Sequence, residues 1–187
     1  MKNILPVLLL SLSVTMIMLF LTIVSFSQVT VNDASKYVDA NSKVTAVVEN
    51  EKFIWIGTNN GVVRVNKKNE KTNNITTTNS VLPSNNVTSI CVRKDGNVWI
   101  GTTNGILRYD KFAYILVNTE NSQLAENHVT SIVEDKNNNL WIGTQHSGLV
   151  MVRNSNFTVY NQKNSQLADD NINSLSTDVN GNLCINK

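Results

Sequence analysis

The chain has few of the residues that define several protein classes. Its 187 residues include only two cysteines and two prolines, which excludes a disulfide-stapled miniprotein and a low-complexity disordered segment. The 16 basic and 14 acidic residues give a net charge of +2, which leaves no electrostatic footprint for DNA or RNA. Glycine is also scarce, whereas about 30 residues are asparagine. This composition favours many short strands joined by polar turns over long helices.

The longest apolar run lies at the N-terminus. Lys2 precedes an apolar stretch at residues 4–24, which small residues at Ser25 and Ser27 follow. These features are typical of a secretory signal peptide and predict cleavage after Ser27. The stretch is also long enough to span a bilayer, so an uncleaved membrane anchor is the alternative. We therefore predict a periplasmic or secreted protein, which touches the inner membrane only through residues 4–24 if the signal is not cleaved.

The rest of the sequence repeats with a period of about 43 residues. The motif Trp-Ile-Gly-Thr occurs three times at spacings of 44 and 42 residues, beginning at Trp55, Trp99 and Trp141. Two further markers keep this period. One is a β-branched residue, at Val44, Val87, Val129 and Ile172. The other is a leucine in a polar connector, at Leu82, Leu124 and Leu167. A period of 40–45 residues in strand-rich units is typical of propeller blades.

Each repeat has the pattern of four strands joined by turns. In the third copy the predicted strands are 129–134, 140–144, 149–153 and 157–160, and asparagine and glycine at the turns suit tight hairpins. The first strand is apolar on both faces, which indicates the innermost strand of a blade. Residues 161–171 would then return from the outermost strand to the centre of the next blade.

We therefore predict an all-β chain, a partial β-propeller of about 3.4 four-stranded antiparallel blades that follows an N-terminal signal or anchor helix. The predicted division is as follows: 1–27 signal peptide or anchor, 28–42 leader with a possible extra strand at 29–31, 43–86 blade 1, 87–128 blade 2, 129–171 blade 3, and 172–187 truncated blade 4.

Several recurring residues have predicted packing roles. The tryptophans are expected to fill the space between blades, and the connector leucines to anchor the connectors. The glycine of each Trp-Ile-Gly motif is expected where a side chain would collide with an adjacent backbone or ring. Cys91 aligns with Val48 and Val133 and is predicted to be a small buried apolar residue. It should not reach Cys184, which lies two blades away.

The repeat resembles the two-component regulator propeller family, most clearly at residues 121–153. The shared features are the Asn-Ser-x-Leu connector, the Thr-Ser-Ile strand, the Asp-x-x-Gly-Asn turn and the Trp-Ile-Gly-Thr hairpin. The resemblance covers about residues 43–187. It implies a periplasmic sensor propeller of the kind found in Bacteroidetes-type hybrid histidine kinases and related exported proteins. Such a module, usually of about seven blades, senses a ligand, often a carbohydrate fragment, without catalysis.

About 3.4 blades are few for a closed ring, because propellers usually have four to eight. An open stack leaves unpaired sheet edges and uncovered blade faces. Three explanations are open: a fragment or degenerate remnant, a half-propeller completed by a second copy, and a small open domain capped by residues 28–42. The degraded fourth motif, with Cys184 for tryptophan and Asn186 for glycine, favours a fragment or remnant.

Residues suited to catalysis or metal binding are sparse. His128 and His146 lack ligating neighbours at useful spacing, and no nucleophile-elbow, P-loop or dinucleotide motif is present. The turn at residues 178–182 resembles a calcium loop but lacks the distal glutamate. We expect no metal, no cofactor and no catalysis. The alternative is a propeller enzyme of lyase or hydrolase type, with a polar site at the channel mouth.

A binding site is expected on the rim that the connectors share with the second hairpin of each blade. The candidate residues are polar: Asn59, Asn60, Asn85, Asn86, Thr103, Asn104, Asn127, His128, His146, Ser147, Asp170 and Asn171. Amide and hydroxyl groups both donate and accept hydrogen bonds, which suits sugar hydroxyls or peptide backbone. The same residue types are common in turns. The predicted partners are a carbohydrate or other small ligand and a second copy of the chain, but no nucleic acid.

Overall fold

The computed structural model describes residues 34–186, so the predicted signal peptide or anchor and the possible strand at 29–31 lie outside the described residues. Within residues 34–186 the chain forms 14 β-strands and one short 3-10 helix, Ser35–Tyr37. Among these residues, no helix has the length and apolar character needed to cross a membrane.

The strands form three four-stranded antiparallel sheets and one two-stranded sheet, here called blades 1 to 4. Blade 1 contains β1 Val44–Glu49, β2 Phe53–Thr58, β3 Gly61–Asn66 and β4 Thr72–Ile75. Blade 2 contains β5 Val87–Val92, β6 Val98–Thr102, β7 Gly105–Tyr109 and β8 Tyr114–Val117. Blade 3 contains β9 Val129–Glu134, β10 Leu140–Thr144, β11 Leu149–Arg153 and β12 Asn156–Tyr160. Blade 4 contains β13 Ser174–Thr177 and β14 Leu183–Asn186.

The first strand of each blade lies innermost, next to the first strands of its neighbours. β1 contacts β5, β5 contacts β9, and β9 contacts β13. Serine side chains join these strands: Ser89 accepts the N–H of Ile132 at 3.0 Å, and Ser131 accepts the N–H of Leu175 at 3.1 Å. Sheets that meet at their first strands and stack face to face are propeller blades, which confirms the predicted fold class.

Each tryptophan of the repeat packs between its own blade and the next. Trp55 is fully buried among residues of blades 1 and 2, and Trp99 is 4% exposed among residues of blades 2 and 3. Trp141 is half-buried and packs against Ile172 and Leu175 at the boundary with blade 4. The apolar seams between blades are thus built around one indole per repeat.

The glycine of each Trp-Ile-Gly motif lies against the next blade. A Cβ atom on Gly101 would lie 2.7 Å from Cγ1 of Val129, and one on Gly57 would lie 2.7 Å from Cγ1 of Val87. The expected collision is therefore present, but with an aliphatic side chain rather than with backbone or a ring. The Trp-Ile-Gly-Thr motif and the β-branched residue that begins the region of the next inner strand therefore keep the same period, because they contact each other across each blade boundary.

The N-terminal part of the described chain covers one face of blade 1. Ala34, Tyr37 and Val38 pack against a patch that includes Ile54 and Ile56 of β2. The equivalent face of blade 2, with Val98 and Ile100, receives blade 1 instead. Residues 34–38 therefore take the position on blade 1 that a preceding blade takes on blade 2.

The two cysteines are free and lie in different environments. Cys91 is buried and Cys184 is exposed. Burial, with a smaller contribution from the nearby Glu134 carboxylate, raises the pKa of Cys91 to about 12. Cys91 thus acts as an apolar packing residue, as its alignment with Val48 and Val133 predicts.

Candidate functional site

Hydrogen bonds hold the connectors and second hairpins together on one rim. The N–H of Gly61 donates to the carbonyl of Asn85 at 2.7 Å, and the N–H of Thr103 donates to the carbonyl of Asn86 at 3.2 Å. The end of the connector therefore lies between the hairpins of blades 1 and 2. The pattern recurs one repeat later, where Gly105 donates to Asn127 and Gln145 donates to His128.

Four of the 12 predicted site residues use their side chains to hold the backbone. The side-chain oxygens of Asn85 and Asn127 each accept a connector N–H at 2.9 Å, from Thr77 and Thr119. Asp170 accepts the N–H of Gln162 at 2.8 Å in the same way, and Asn59 accepts the N–H of Lys43 at 2.7 Å. These side chains shape the rim.

Two more predicted residues contact the neighbouring connector. The Thr103 hydroxyl lies 3.0 Å from that of Ser84, and the Asn104 amide donates to the carbonyl of Pro83 at 3.4 Å. Five others make no side-chain hydrogen bond with any described residue: Asn60, Asn86, His128, Ser147 and Asn171. These five side chains are the free polar groups of the predicted site.

His146 stands in the longest of the second hairpins and contacts Glu126. Its N–H donates to Oε2 of Glu126 at 2.7 Å, and its Nδ1 lies 3.2 Å from Oε1. The His146 side chain is 70% exposed, whereas that of Glu126 is 22% exposed. Glu126 was not predicted as a site residue. Its position in the connector corresponds to Ser84, which contacts Thr103, so aligning the connectors could have identified it.

The turn that resembles a calcium loop is closed by its own side chains. Asp178 accepts the N–H groups of Asn180 and Asn182 and the Asn182 side-chain amide. The N–H groups of Asn182 lower the pKa of Asp178 most strongly. Within residues 34–186, no group of three or more His, Cys, Asp or Glu residues could hold a metal ion.

A large cavity lies away from the predicted residues, between blades 2 and 3. Its volume is about 760 Å³. The basic, aromatic and aliphatic residues of its lining include Arg93, Trp99, Arg108, Val152, Arg153 and Phe157. A second cavity of about 670 Å³ lies at the turns of blades 1 and 2. Neither is lined by any of the 12 predicted residues. A cavity of only about 80 Å³ is lined by one of them, Asn60.

Two arginines in the cavity between blades 2 and 3 differ in their partners. Nε of Arg93 lies 3.0 Å from the Glu134 carboxylate, and Nη1 lies 3.6 Å from Asp95. Arg108 makes no hydrogen bond or ion pair with any described residue, and its buried Nε has no acceptor. Its guanidinium lies 5.8 Å from the centre of the Trp99 ring. Arg93 thus has two carboxylates within ion-pair distance, whereas Arg108 has none among the described residues. Arg108 acts on the carboxylate of Asp110 only at longer range, where it adds to the lowering of the pKa of Asp110 that comes mainly from the N–H groups of Ala113 and Phe112.

Blade 3 shows what the repeat places at these two positions elsewhere. There Asp135 occupies the position of Arg93, six residues before the tryptophan, and Met151 pairs with Trp141 as Arg108 pairs with Trp99. Nε1 of Trp141 donates to Asp135 at 2.9 Å. Nε1 of Trp99 is buried without an acceptor. An alignment of the three copies distinguishes both arginines from their counterparts in blade 3 and could have identified them.

Burial alone would raise the pKa of Asp135, but hydrogen bonds reverse the shift. The carboxylate accepts the indole N–H of Trp141, the amide and N–H of Asn139, and the N–H of Asn137. Together these donors hold the pKa of Asp135 below its ordinary value. The anionic form of Asp135 therefore stabilises the turn between β9 and β10.

Two segments of the chain match the family model described as two component regulator propeller, at residues 81–104 and 123–146. Each segment runs from a connector leucine region through the inner strand to the Trp-Ile-Gly-Thr hairpin. The resemblance inferred from the repeats is thereby confirmed. No curated protein matches the chain.

Solved structures with the same fold include sensor and enzyme propellers. The extracellular domain of a protein described as a hybrid two component system of B. thetaiotaomicron is 29% identical, with a TM-score of 0.66; the match covers 77% of this chain and 20% of that one. PorZ of Porphyromonas gingivalis, described as a surface component of the type-IX secretion system, is 22% identical, with a TM-score of 0.61; the match covers 76% of this chain and 24% of that one.

Virginiamycin B lyase of Staphylococcus aureus is 13% identical, with a TM-score of 0.58; the match covers 79% of this chain and 50% of that one. At these identities, PorZ and the lyase show the fold alone. This chain spans about a fifth of the length of the B. thetaiotaomicron domain.

Proposed function

Because the chain carries repeats of the two component regulator propeller family, we propose that it is an exported, non-catalytic module that senses a ligand. The observation that carries this proposal is the match to the family model, together with the likeness to the extracellular domain of a hybrid two component system. An extracellular sensor domain must recognise a molecule outside the cell and has no need to convert it.

We place ligand contact on the rim of connectors and second hairpins. Asn86 and His128 occupy equivalent connector positions, and neither side chain is bonded to another described residue. Asn60 and Ser147 extend the same rim from the hairpins. Free amide and hydroxyl groups in a row suit the hydroxyl groups of a carbohydrate fragment, because each can donate and accept.

The test is a thermal shift of the full chain with a panel of neutral oligosaccharides. Binding to the folded state raises Tm in a saturable way, by RT ln(1 + [L]/Kd) in free energy. We expect at least one member to raise Tm while chromatography shows it unchanged. Absence of a shift across the panel contradicts the proposal, and conversion of the oligosaccharide supports the enzyme alternative.

Adjacent asparagines provide a matched pair of variants. Asn86→Ala removes a free amide, so it should abolish the ligand-induced shift and leave the Tm of the ligand-free protein unchanged. Asn85→Ala removes the acceptor for the N–H of Thr77, so it should lower the ligand-free Tm and preserve the ligand-induced shift. If Asn86→Ala kept the ligand-induced shift and Asn85→Ala lost it, the rim would not be the binding site.

Assembly with a second copy to complete the ring remains a prediction. The four blades described here leave β14 without a further paired strand within residues 34–186. Light scattering of the full chain tests it: a dimer supports completion by a second copy, and a monomer contradicts it.

A further inference from the structure

We propose that the cavity between blades 2 and 3 binds a small hydroxylated carboxylate, such as a sugar acid. This site is separate from the rim and does not depend on the function proposed for it. The cavity lies between outer strands, where Trp99, Arg108 and Ile115 form a cross-strand row on blade 2. The facing row on blade 3 contains Leu140, Val152 and Phe157.

The charge of the cavity favours an anion. Its lining includes three arginines and a single carboxylate, that of Asp95. Asp95 and Glu134 already compensate Arg93. Arg108 and Arg153 have no ion pair with any described residue. A carboxylate ligand would supply the acceptors that Arg108 lacks, and the planar guanidinium suits two parallel hydrogen bonds to one carboxylate.

Arg64 also has no hydrogen bond or ion pair with a described residue, but its surroundings differ from those of Arg108. Arg64 occupies the same position in blade 1, where its guanidinium lies 4.7 Å from the Phe53 ring centre and 5.5 Å from that of Tyr109. Aromatic faces therefore surround the Arg64 cation and take the place of a ligand. At Arg108 only the Trp99 ring is near, and open space adjoins the guanidinium.

The size and the remaining lining indicate what the rest of the ligand is. A volume of about 760 Å³ lies within the range of ligand cavities, roughly 300–1,000 Å³. The side chains of Asn97, Asn121 and Ser122 already form hydrogen bonds within blade 2. The lining amide and hydroxyl groups with no hydrogen bond to a described residue are those of Asn137, Asn154 and Ser155. Such groups pair with hydroxyls, whereas Phe157 offers an apolar surface. A carboxylate on a hydroxylated ring or chain matches both sets.

The test is isothermal titration calorimetry of the full chain with galacturonate, galactose and inorganic sulfate. Galacturonate and galactose share hydroxyl groups, and only galacturonate has the carboxylate. We expect binding of galacturonate and no measurable binding of galactose or sulfate at the same concentrations. Binding of galactose or sulfate as strong as that of galacturonate, or no binding of galacturonate, would overturn the proposal.

Variants locate the binding. Arg108→Met copies Met151 of blade 3 and should weaken galacturonate binding roughly 10- to 100-fold, as expected for the loss of hydrogen bonds to a charged group. The control Arg64→Met removes the equivalent cation from the boundary between blades 1 and 2, where aromatic rings surround it, and should leave galacturonate binding unchanged. Equal loss in both variants, or none in Arg108→Met, refutes the assignment.

A second variant tests the same site without depending on whether Arg108→Met folds. Val152→Tyr fills the cavity from the opposite wall and keeps Arg108, so it should abolish galacturonate binding without lowering Tm. Thermal unfolding of each ligand-free variant verifies that it is folded. Unchanged galacturonate binding in a folded Val152→Tyr protein would place the ligand elsewhere.

Discussion

The boundary between blades 1 and 2 and the boundary between blades 2 and 3 use the same tryptophan–arginine pair with different outcomes. Trp55 pairs with Arg64 in the first, and Trp99 pairs with Arg108 in the second. Beside its arginine the first boundary is filled by tilted aromatic rings, with a cavity of about 670 Å³ at the turns, whereas the second has a cavity of about 760 Å³ beside Arg108. The repeat therefore determines the backbone and the boundary, whereas the facing blade determines whether the boundary is filled.

The facing residues explain the difference. Tyr109 and Tyr114 of blade 2 face Trp55, with ring centres 5.4 Å apart for Trp55–Tyr109 and 5.1 Å apart for Tyr109–Tyr114. The register places Val152 and Phe157 at the equivalent positions of blade 3. A valine where the first boundary has a tyrosine leaves space beside Arg108. Burial at the filled boundary also raises the pKa of the Tyr114 phenol.

The largest expected effect comes from removing the central ring of the filled boundary. Trp55→Ala should lower the free energy of unfolding by about 3–5 kcal/mol, because the indole is fully buried. Trp141→Ala should cost less, since Trp141 is half-buried. Denaturant unfolding followed by circular dichroism measures both, and an equal loss in the two variants would contradict the packing difference.

A methyl group on Gly101 should strain the boundary between blades 2 and 3. Its Cβ would lie 2.7 Å from Cγ1 of Val129, so Gly101→Ala should cost about 1–3 kcal/mol in unfolding free energy. Adding Val129→Ala removes the colliding atom, and the double variant should lose less than the sum of the two single losses. Strict additivity in this cycle would show that the two residues do not press on each other.

Exchanging the facing residues tests the comparison directly. Val152→Tyr should raise the unfolding free energy by about 0.5–2 kcal/mol by filling the cavity. Tyr109→Val should lower it, because it opens the filled boundary. Thermal unfolding of the two variants and of the wild type measures both changes in stability. If Val152→Tyr destabilised the protein as strongly as Tyr109→Val, the space beside Arg108 would not be available to a ring.

The smallest effect is expected at Asp135, the acidic counterpart of Arg93. Because the folded pKa of Asp135 is lowered, its stabilisation is present above the unfolded pKa of about 3.9 and is lost as pH falls through the folded pKa. Asp135→Asn should cost about 1 kcal/mol or less at neutral pH.

The same variant should also reduce the loss of stability in acid. Denaturant midpoints of wild type and Asp135→Asn, measured from neutral pH into acid, check this. Trp141→Phe, which removes the indole donor together with part of the ring volume, should show a smaller change of the same sign in the pH dependence. Identical pH profiles for wild type and Asp135→Asn would show that this carboxylate does not stabilise the turn.

Much of the fold could be predicted because its signals are local and repeated. The strands of the third copy agree with the prediction, except that β12 begins at Asn156 rather than Phe157. Turn chemistry explains this accuracy: Asn154 and Ser155 adopt positive φ of 49° and 65°, as a tight hairpin requires. The rim could also be located, because connectors and hairpins must meet at one end of antiparallel strands.

The chemistry of individual side chains was less predictable. Asn85 and Asn86 are neighbours of the same type, yet Asn85 binds the N–H of Thr77 and Asn86 is free. The cavity beside Arg108 also gave no signal within a single repeat, because it depends on Val152 of the next blade. Contacts between residues of different repeats decide both cases.

The sequence by itself determined the period, the strands, the turns and the face on which each tryptophan lies, since these follow from side-chain alternation and turn propensity within one repeat. Only the tertiary structure decided which arginine is enclosed by rings and which borders open space. That outcome depends on the combined volume of the side chains that two neighbouring blades place at their boundary. The sequence of one repeat does not specify this combined volume.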